Sequence, residues 1–332
     1  MKTHIQNLFI ILALLAASTG AHADTVYVSN IGTNYVMRFT AGGVGSVFAN
    51  AGPQPLGLAF DSAGNLYVGM PSANTIVKFS STGTNLGVFA SSGANPYALA
   101  FDSVGNLYVA NAGDNTIAKI TPGGVSSVFA AGLNYPSGLA FDSAGNLYVS
   151  NGNNNNINKF SSTGTNLGVF ASSGGGAPVG LTFDSTGNLY VANQSGAIVK
   201  ITTNGVGSVF ANIGSSPFGL AFDSAGNLYA TYNQLNTIEK FSSTGTDLGV
   251  FASGLNGPTF ITIKPDSATT LRIASSGNQS ILFWPASGTN YILQSSTNLA
   301  STNWITATDA IPVIAFTVTN TSPARFFRLL QP

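Results

Sequence analysis

The chain repeats one nine-residue phrase at intervals of about forty residues. The phrase is Phe-Asp-Ser-x-Gly-Asn-Leu-Tyr-Val, and it occupies residues 60–68, 101–109, 141–149, 183–191 and, with Ala in the last place, 222–230. Aligning its tyrosine with Tyr27 gives six units at steps of 40, 41, 40, 42 and 39 residues. A period near forty, built of short β-prone runs and glycine-rich turns, is typical of the blades of a β-propeller.

Each unit contains four short predicted strands, a to d, separated by turns. In the second unit they are residues 56–61, 65–69, 75–80 and 86–90. The turn between strands a and b opens with an aspartate, whose side chain can cap the turn by hydrogen-bonding the backbone that follows it. The turn also contains a glycine, which can adopt the left-handed conformation of a tight hairpin. The repeated aspartates are Asp61, Asp102, Asp142, Asp184 and Asp223. We interpret them as turn caps rather than metal ligands, because Ca²⁺ needs several oxygens converging from one loop or pocket.

The two ends of the repeat complement each other. The first unit starts directly at strand b, at Thr25, and has no strand a of its own. After the sixth unit, residues 258–264 align with residues 55–61 as an additional strand a, with Lys264 in the place of the aspartate. Pairing this last strand with the first unit would close the ring and remove exposed sheet edges. The predicted fold is therefore all-β, a closed six-bladed β-propeller followed by a small β-sandwich domain.

Three segments of different character divide the chain. Residues 1–23 have the pattern of a secretory signal peptide, with Lys2 at the start, an apolar run at 8–17 and a small-x-small cleavage site at 21–23. Residues 24–266 form the predicted propeller, and residues 267–332 contain six β-prone runs that suggest a small sandwich. We expect an exported protein, in the periplasm, at the cell surface or secreted, with no transmembrane segment after signal removal.

The repeated unit resembles the NHL-repeat family of propellers. The resemblance rests on Pro-x-Gly-Leu-Ala-Phe-Asp, then Gly-Asn-Leu-Tyr-Val, then Asn-x-Ile before a lysine, and it covers residues 24–265. It implies the fold but no single function, because the family includes ligand-binding scaffolds, lyases and sugar lactonases. Where NHL repeats often end strand b with Asp, four units here end it with Asn, which removes charge from that face. The last module contains Leu-Phe-Trp-Pro-Ala-Ser-Gly at 282–288, Tyr-Ile-Leu-Gln-Ser-Ser at 291–296 and Arg-Phe-Phe-Arg-Leu at 325–329. With these segments it resembles the fibronectin-III-like end modules of exported bacterial proteins.

The residue inventory excludes much catalytic chemistry. Only 7% of the residues are charged and the net charge is +0, so nothing indicates a nucleic-acid partner. After signal removal the chain has no His, no Cys and a single Glu, Glu239. Neither a Ser-His-Asp or Cys-His site nor an ordinary zinc site can then form. We expect no cofactor, and we favour a protein that is not an enzyme.

The family resemblance brings two enzymes into consideration. Streptogramin lyase depends on a histidine base, which the mature chain lacks. Gluconolactonase-like enzymes hold a central Ca²⁺ with Glu, Asn and Asp side chains, whereas Glu239 falls in a predicted strand c, away from the axis. The resemblance therefore does not carry either activity over to this chain.

The b–c and d–a loops of a propeller converge on one axial face, where such scaffolds usually bind. Amides beside aromatic rings on that face suit a neutral polar ligand. The same positions would also vary by loop drift without any function. The candidate ligand-binding residues are Tyr97, Asn111, Asp114, Tyr135, Asn151, Asn193, Gln194, Phe218 and Tyr232.

Three functions remain open at the level of sequence. The first is a monomeric, exported binding module that recognises a neutral glycan or a protein at the b–c/d–a face. The second is a divergent metal-dependent propeller enzyme, lactonase- or lyase-like, with the metal held around Asp114. The third is a structural cell-surface module. Stoichiometric Ca²⁺ in the purified protein would favour the second.

Overall fold

The computed structural model of the chain describes residues 24–212 and 214–265, together with six strands of the C-terminal region. The predicted signal peptide lies outside the described residues. In chain order the propeller strands are β1 Thr25–Asn30, β2 Tyr35–Phe39, β3 Gly45–Asn50, β4 Leu58–Phe60, β5 Leu66–Met70, β6 Thr75–Phe79, β7 Asn85–Ser91, β8 Pro96–Phe101, β9 Leu107–Asn111, β10 Thr116–Ile120, β11 Ser126–Ala130, β12 Pro136–Phe141, β13 Leu147–Asn151, β14 Asn156–Phe160, β15 Asn166–Ser172, β16 Pro178–Phe183, β17 Leu189–Asn193, β18 Ala197–Ile201, β19 Gly207–Asn212, β20 Pro217–Phe222, β21 Leu228–Tyr232, β22 Thr237–Phe241, β23 Asp247–Ala252 and β24 Pro258–Lys264.

These strands form six four-stranded antiparallel sheets, which confirms the prediction of a six-bladed propeller. Five blades are runs of four consecutive strands, and the first blade has the order β24-β1-β2-β3. In the second blade the observed strands lie within two residues of the predicted bounds. One short 3₁₀ helix, Pro71–Ala73, precedes β6. The part of the chain that the structure describes contains no helix with the length and hydrophobicity of a membrane span.

The ring closes by pairing the two ends of the repeat, as predicted. Strand β24 lies antiparallel to β1, with Val26 opposite Ile263 and Val28 opposite Ile261. Side chains reinforce the pairing, because the Ser29 hydroxyl accepts a hydrogen bond from the Phe260 amide at 3.0 Å. The inner strand of the first blade therefore comes from the end of the repeat and its three outer strands come from the start.

Aromatic contacts join neighbouring blades. In five blades the repeated tyrosine of strand b packs edge-to-face against a phenylalanine of strand d in its own blade and against another that ends strand a of the next blade. Tyr67 shows the pattern, with its ring centroid 4.8 Å from Phe89 and 5.0 Å from Phe101. Such pairs contribute about 0.5–1.5 kcal/mol beyond the buried area. Repetition of the phrase thus repeats the interface between blades.

The repeated aspartates cap the a–b turns, which confirms the interpretation made from their position. Asp142 accepts hydrogen bonds from the backbone N–H of Ala144 and of Asn146, at 3.0 and 2.8 Å. Its second oxygen accepts from the Asn146 side chain at 2.8 Å and lies 3.5 Å from Lys159 Nζ. In the first blade β24 and β1 come from opposite ends of the repeat, so there is no turn to cap. The aspartate is missing there, and Lys264 takes its place.

In the C-terminal region the structure describes six strands, as the six β-prone runs predicted: β25 Arg272–Ser276, β26 Gln279–Phe283, β27 Ile292–Ser296, β28 Ile305–Thr306, β29 Ala315–Thr319 and β30 Phe326–Leu330. They pair as two three-stranded sheets, of orders β25-β26-β29 and β28-β27-β30. The segments between them lie outside the described residues, so the fibronectin-III-like sandwich has no support from the structure. The boundary between this region and the propeller unit falls between Asp266 and Ser267.

Candidate functional site

A shallow open depression of about 300 Å³ lies where the inner strands begin, on the face of the b–c and d–a loops. Its lining combines aromatic, aliphatic, amide and hydroxyl side chains, and none of the lining residues is charged. The size is at the small end of the range for ligand sites in proteins. The lining residues are Ile31, Leu56, Tyr97, Gln194, Ser216, Pro217, Phe218, Asn233, Gln234 and Thr259.

Four aromatic rings meet beside this depression. Tyr97 is the second residue of β8, the inner strand of the third blade, and Phe218 is the second residue of β20, the inner strand of the sixth. The third and sixth blades lie opposite each other in a ring of six. Their rings nevertheless stack, with centroids 5.8 Å apart and planes inclined by 29°. Phe260, from the first blade, packs edge-on against both, at 5.7 Å from Tyr97 and 5.3 Å from Phe218. Aromatic side chains from three blades therefore meet near the axis of the propeller.

Tyr135 extends this group towards the fourth blade. Its ring contacts Tyr97 at 5.7 Å between centroids and an angle of 65°. Burial, with a smaller contribution from the nearby Tyr135 hydroxyl, raises the pKa of Tyr97 far above its usual range. The Tyr97 hydroxyl therefore stays neutral at any physiological pH.

Three of the predicted asparagines have a different environment. Asn111, Asn151 and Asn193 end their b strands with exposed fractions of 0–2%. Asn193 Nδ2 donates to the Ser173 carbonyl at 2.7 Å. Asn151 Oδ1 accepts from the Asn134 backbone N–H at 3.2 Å. These side chains connect the end of strand b to the loop that precedes the blade, and they are not among the residues that line the depression.

The remaining predicted residues are dispersed. Gln194 is exposed and lines the depression. Asp114 is exposed, and its carboxylate accepts a hydrogen bond from the Ala94 backbone N–H at 2.5 Å. Tyr232 is fully buried, its hydroxyl has no hydrogen-bond partner in the described structure, and burial, followed by the charges of Glu239 and Asp247, raises its pKa. The structure thus brings together Tyr97, Tyr135, Phe218 and Gln194 of the predicted set, and not Asp114 or Tyr232.

The carboxylates that the structure describes do not converge. Glu239, 6% exposed, accepts a hydrogen bond from the Thr237 hydroxyl at 2.8 Å. Each repeated aspartate forms an ion pair with the lysine of its own blade, at 3.3 to 4.0 Å. Within residues 24–212 and 214–265 no three His, Cys, Asp or Glu side chains group in a way that could hold a metal ion.

Sequence reasoning missed Phe260, although a signal for it exists. Phe260 stands two residues after Pro258, where the other blades carry Gly or Ala. At one of these positions, Gly219, a Cβ atom would come within 2.6 Å of the Thr259 carbonyl oxygen, so the neighbouring inner strand leaves no room for a side chain. A phenylalanine at such a position marks a break in the repeat, and the break lies at the candidate site.

The profile of the Virginiamycin B lyase family matches residues 15–266. The chain belongs to this family. Similar folds occur in a chain of a nidogen–laminin complex (22% identity, TM-score 0.66, covering 72% of this chain and 98% of that one) and in streptogramin B lyase (20%, 0.58, 72% and 83%). No curated protein sequence matches the chain significantly.

Virginiamycin B lyase from Staphylococcus aureus is also similar in structure, with 18% identity and a TM-score of 0.57 over 78% of this chain and 87% of the lyase. A histidine-to-alanine variant of that lyase, solved with quinupristin, is catalytically inactive; it is 18% identical, with a TM-score of 0.54 and coverage of 80% and 93%. The present family member has histidine only at positions 4 and 22, so residues 24–332 contain none. At these identities the structures show the fold alone.

Proposed function

We propose that this member of the virginiamycin B lyase family is an exported, non-catalytic binding module that takes a neutral ligand in the axial depression. The observation that carries the proposal is the lining, in which Tyr97 and Phe218 supply apolar area while Gln194 and its neighbours supply uncharged donors and acceptors. Neutral sites of this kind fix a ligand by a few hydrogen bonds around an apolar contact.

The side chains present favour binding over catalysis. A general base must reach the proton it removes and must titrate near the working pH, and histidine most often does this. The propeller has no histidine, and its only glutamate lies buried against Thr237 in strand β22. Burial raises the pKa of Tyr97 far above its usual range, so its hydroxyl stays protonated and supplies no base at neutral pH. The depression can therefore position a ligand and provide contact area for it.

The ligand-binding proposal is tested on an array of immobilised neutral glycans and neutral peptides, probed with the full mature chain from residue 24. Phe218→Ala and Gln194→Ala should each weaken binding by about tenfold, since each removes a contact worth about 1 kcal/mol or more. Val104→Ala is the matched control, because Val104 is 76% exposed in an a–b turn on the opposite face. Binding that both lining variants retain in full would place the site elsewhere.

Family membership favours a second candidate, a lyase- or lactonase-like enzyme. The two candidates separate in one preparation: elemental analysis with and without chelator, followed by incubation with quinupristin and mass spectrometry. Conversion of quinupristin to a product with a different chromatographic retention or fragmentation pattern, together with a stoichiometric divalent ion, would establish the enzyme and reject the binding module. Export is tested by N-terminal sequencing of the protein from culture supernatant and periplasm, where we expect a chain that begins at Asp24.

A further inference from the structure

Tyr135 has a backbone conformation that disfavours an aromatic residue. Its φ is +56°, in the left-handed region. In the described structure seven other non-glycine residues have positive φ; six are Asn, a residue type enriched in this region, and the seventh is Gln54. Tyr135 also precedes Pro136, which further restricts the preceding residue. A bulky ring is held here against the local preference of the chain, and such positions cluster at ligand sites.

The fold does not require tyrosine at this position. The equivalent residue, directly before the proline that opens strand a, is Gln54 in the second blade, Asn95 in the third and Gly257 in the first. All three have positive φ, at 55°, 57° and 68°. The same left-handed backbone conformation therefore occurs in three other blades at residues that have no aromatic ring.

The surroundings of Tyr135 are amides. The Asn134 side chain donates to Asn154 Oδ1 at 2.7 Å and accepts from Asn153 Nδ2 at 3.1 Å. Asn153 and Asn154 are exposed. Gly152 makes room for the ring, because a Cβ there would lie 3.3 Å from Tyr135 Cδ1. An aromatic ring thus lies beside a fixed, exposed network of neutral donors and acceptors.

We propose that Tyr135, Asn134, Asn153 and Asn154 form a subsite for a neutral pyranose ring, next to the axial depression. The proposal rests on the binding function inferred above and names its ligand as a neutral glycan rather than a protein. The apolar face of a pyranose packs on a ring such as Tyr135, and paired side-chain amides match neighbouring sugar hydroxyls as donor and acceptor. Because Tyr135 contacts Tyr97, a glycan of two or more units spans the subsite and the depression.

The test uses the full mature chain, with methyl pyranosides of glucose, galactose, mannose and N-acetylglucosamine and their α- and β-linked disaccharides as probes. Saturation-transfer NMR detects weak binding and shows which sugar protons touch the protein, and thermal melts report stability. We expect a disaccharide to bind more tightly than its monosaccharide. Tyr135→Asn, which restores the residue type of Asn95, should weaken disaccharide binding by about tenfold without lowering Tm.

Two further variants keep the test decisive. Tyr135→Phe retains the ring and should bind like the wild type within about twofold, and Asn154→Ala should weaken binding although it alters only an exposed side chain. Asn95→Gly, at the same place in the third blade, is the matched control and should bind normally. A fall in Tm with unchanged sugar binding in Tyr135→Asn would make Tyr135 a packing residue and overturn the proposal. Array binding of neutral peptides with no response to any sugar would also overturn it while leaving the axial binding function intact.

Discussion

Replacing Asp142 by Ala tests whether the repeated aspartates are structural caps. The carboxylate is only 18% exposed and holds two backbone N–H groups, the Asn146 side chain and the Tyr148 hydroxyl, the last at 3.3 Å. Loss of a turn cap costs about 1 kcal/mol, and loss of hydrogen bonds to a charged acceptor adds about 1–2 kcal/mol. The ion pair with Lys159 adds at most about 0.5 kcal/mol because both groups are partly solvated. We expect a loss of about 2–3 kcal/mol in the free energy of unfolding.

For a unit of this size that loss corresponds to a fall in Tm of about 5–10 °C. Thermal and urea unfolding followed by circular dichroism, with and without a chelator, measures it. Asp247→Ala is the matched control, since among the described residues the Asp247 carboxylate accepts one hydrogen bond, from the Gly249 amide at 2.7 Å, on an exposed outer strand. Its effect should stay below about 1 kcal/mol. Equal stability of the Asp142 variant and the wild type, or a loss that appears only when divalent ions are present, would refute the reasoning.

Three other expectations follow from the same contacts. Burial opposes ionisation of Asp184, but hydrogen bonds from the neighbouring Asn and Thr side chains and backbone outweigh it and lower its pKa from 3.8 to about 2. Its contribution to stability is therefore complete above pH 4 and is lost as the pH falls through about 2; melts between pH 5 and 2 should show a smaller acid loss in Asp184→Asn. Asn193→Ala leaves a buried carbonyl without its donor, so urea unfolding should show a loss of about 2 kcal/mol. The outer strands carry exposed Val88, Val169 and Val250, at 58–62%, and a triple Val→Lys variant should precipitate at higher protein concentration with unchanged Tm.

The repeat made the architecture predictable to within two residues at the strands of the second blade. The phrase encodes the turn cap, the tyrosine that joins two blades and the apolar strands at once, so local and tertiary preferences agree. Closure was predictable because strand β24 carries the strand a pattern without the aspartate. The packing of the C-terminal strands was not predictable in the same way, since that segment has no repeat to fix its register.

The candidate site followed from the sequence less completely. The asparagines that end the b strands, such as Asn151, are predicted to bind ligand because loops at that face carry function in propellers. The structure shows that an amide at this point reaches the backbone of the adjacent loop, a contact between residues 17 positions apart that no local pattern reveals. Tyr97 and Phe218 were found because they differ from the residues at the same place in other blades. Phe260 differs as clearly from the Gly or Ala at the same place in the other blades. It lies one position further along the strand than Tyr97 and Phe218, in a segment whose sequence predicts ring closure rather than a binding site.

The arrangement of the four aromatic residues argues against loop drift as their origin. Tyr135 precedes the proline of its blade, Tyr97 and Phe218 follow theirs directly, and Phe260 stands two residues after Pro258. Drift in separate loops has no reason to bring three different positions of the repeat, from four different blades, into one contact group. In the structure the centroids of the contacting aromatic rings lie 5.3 to 5.8 Å apart, near the axis of the propeller. Because the blades are otherwise so nearly alike, a unique site can arise only where they differ. The large aromatic side chains that distinguish the blades beside the axial depression are the same ones that contact each other.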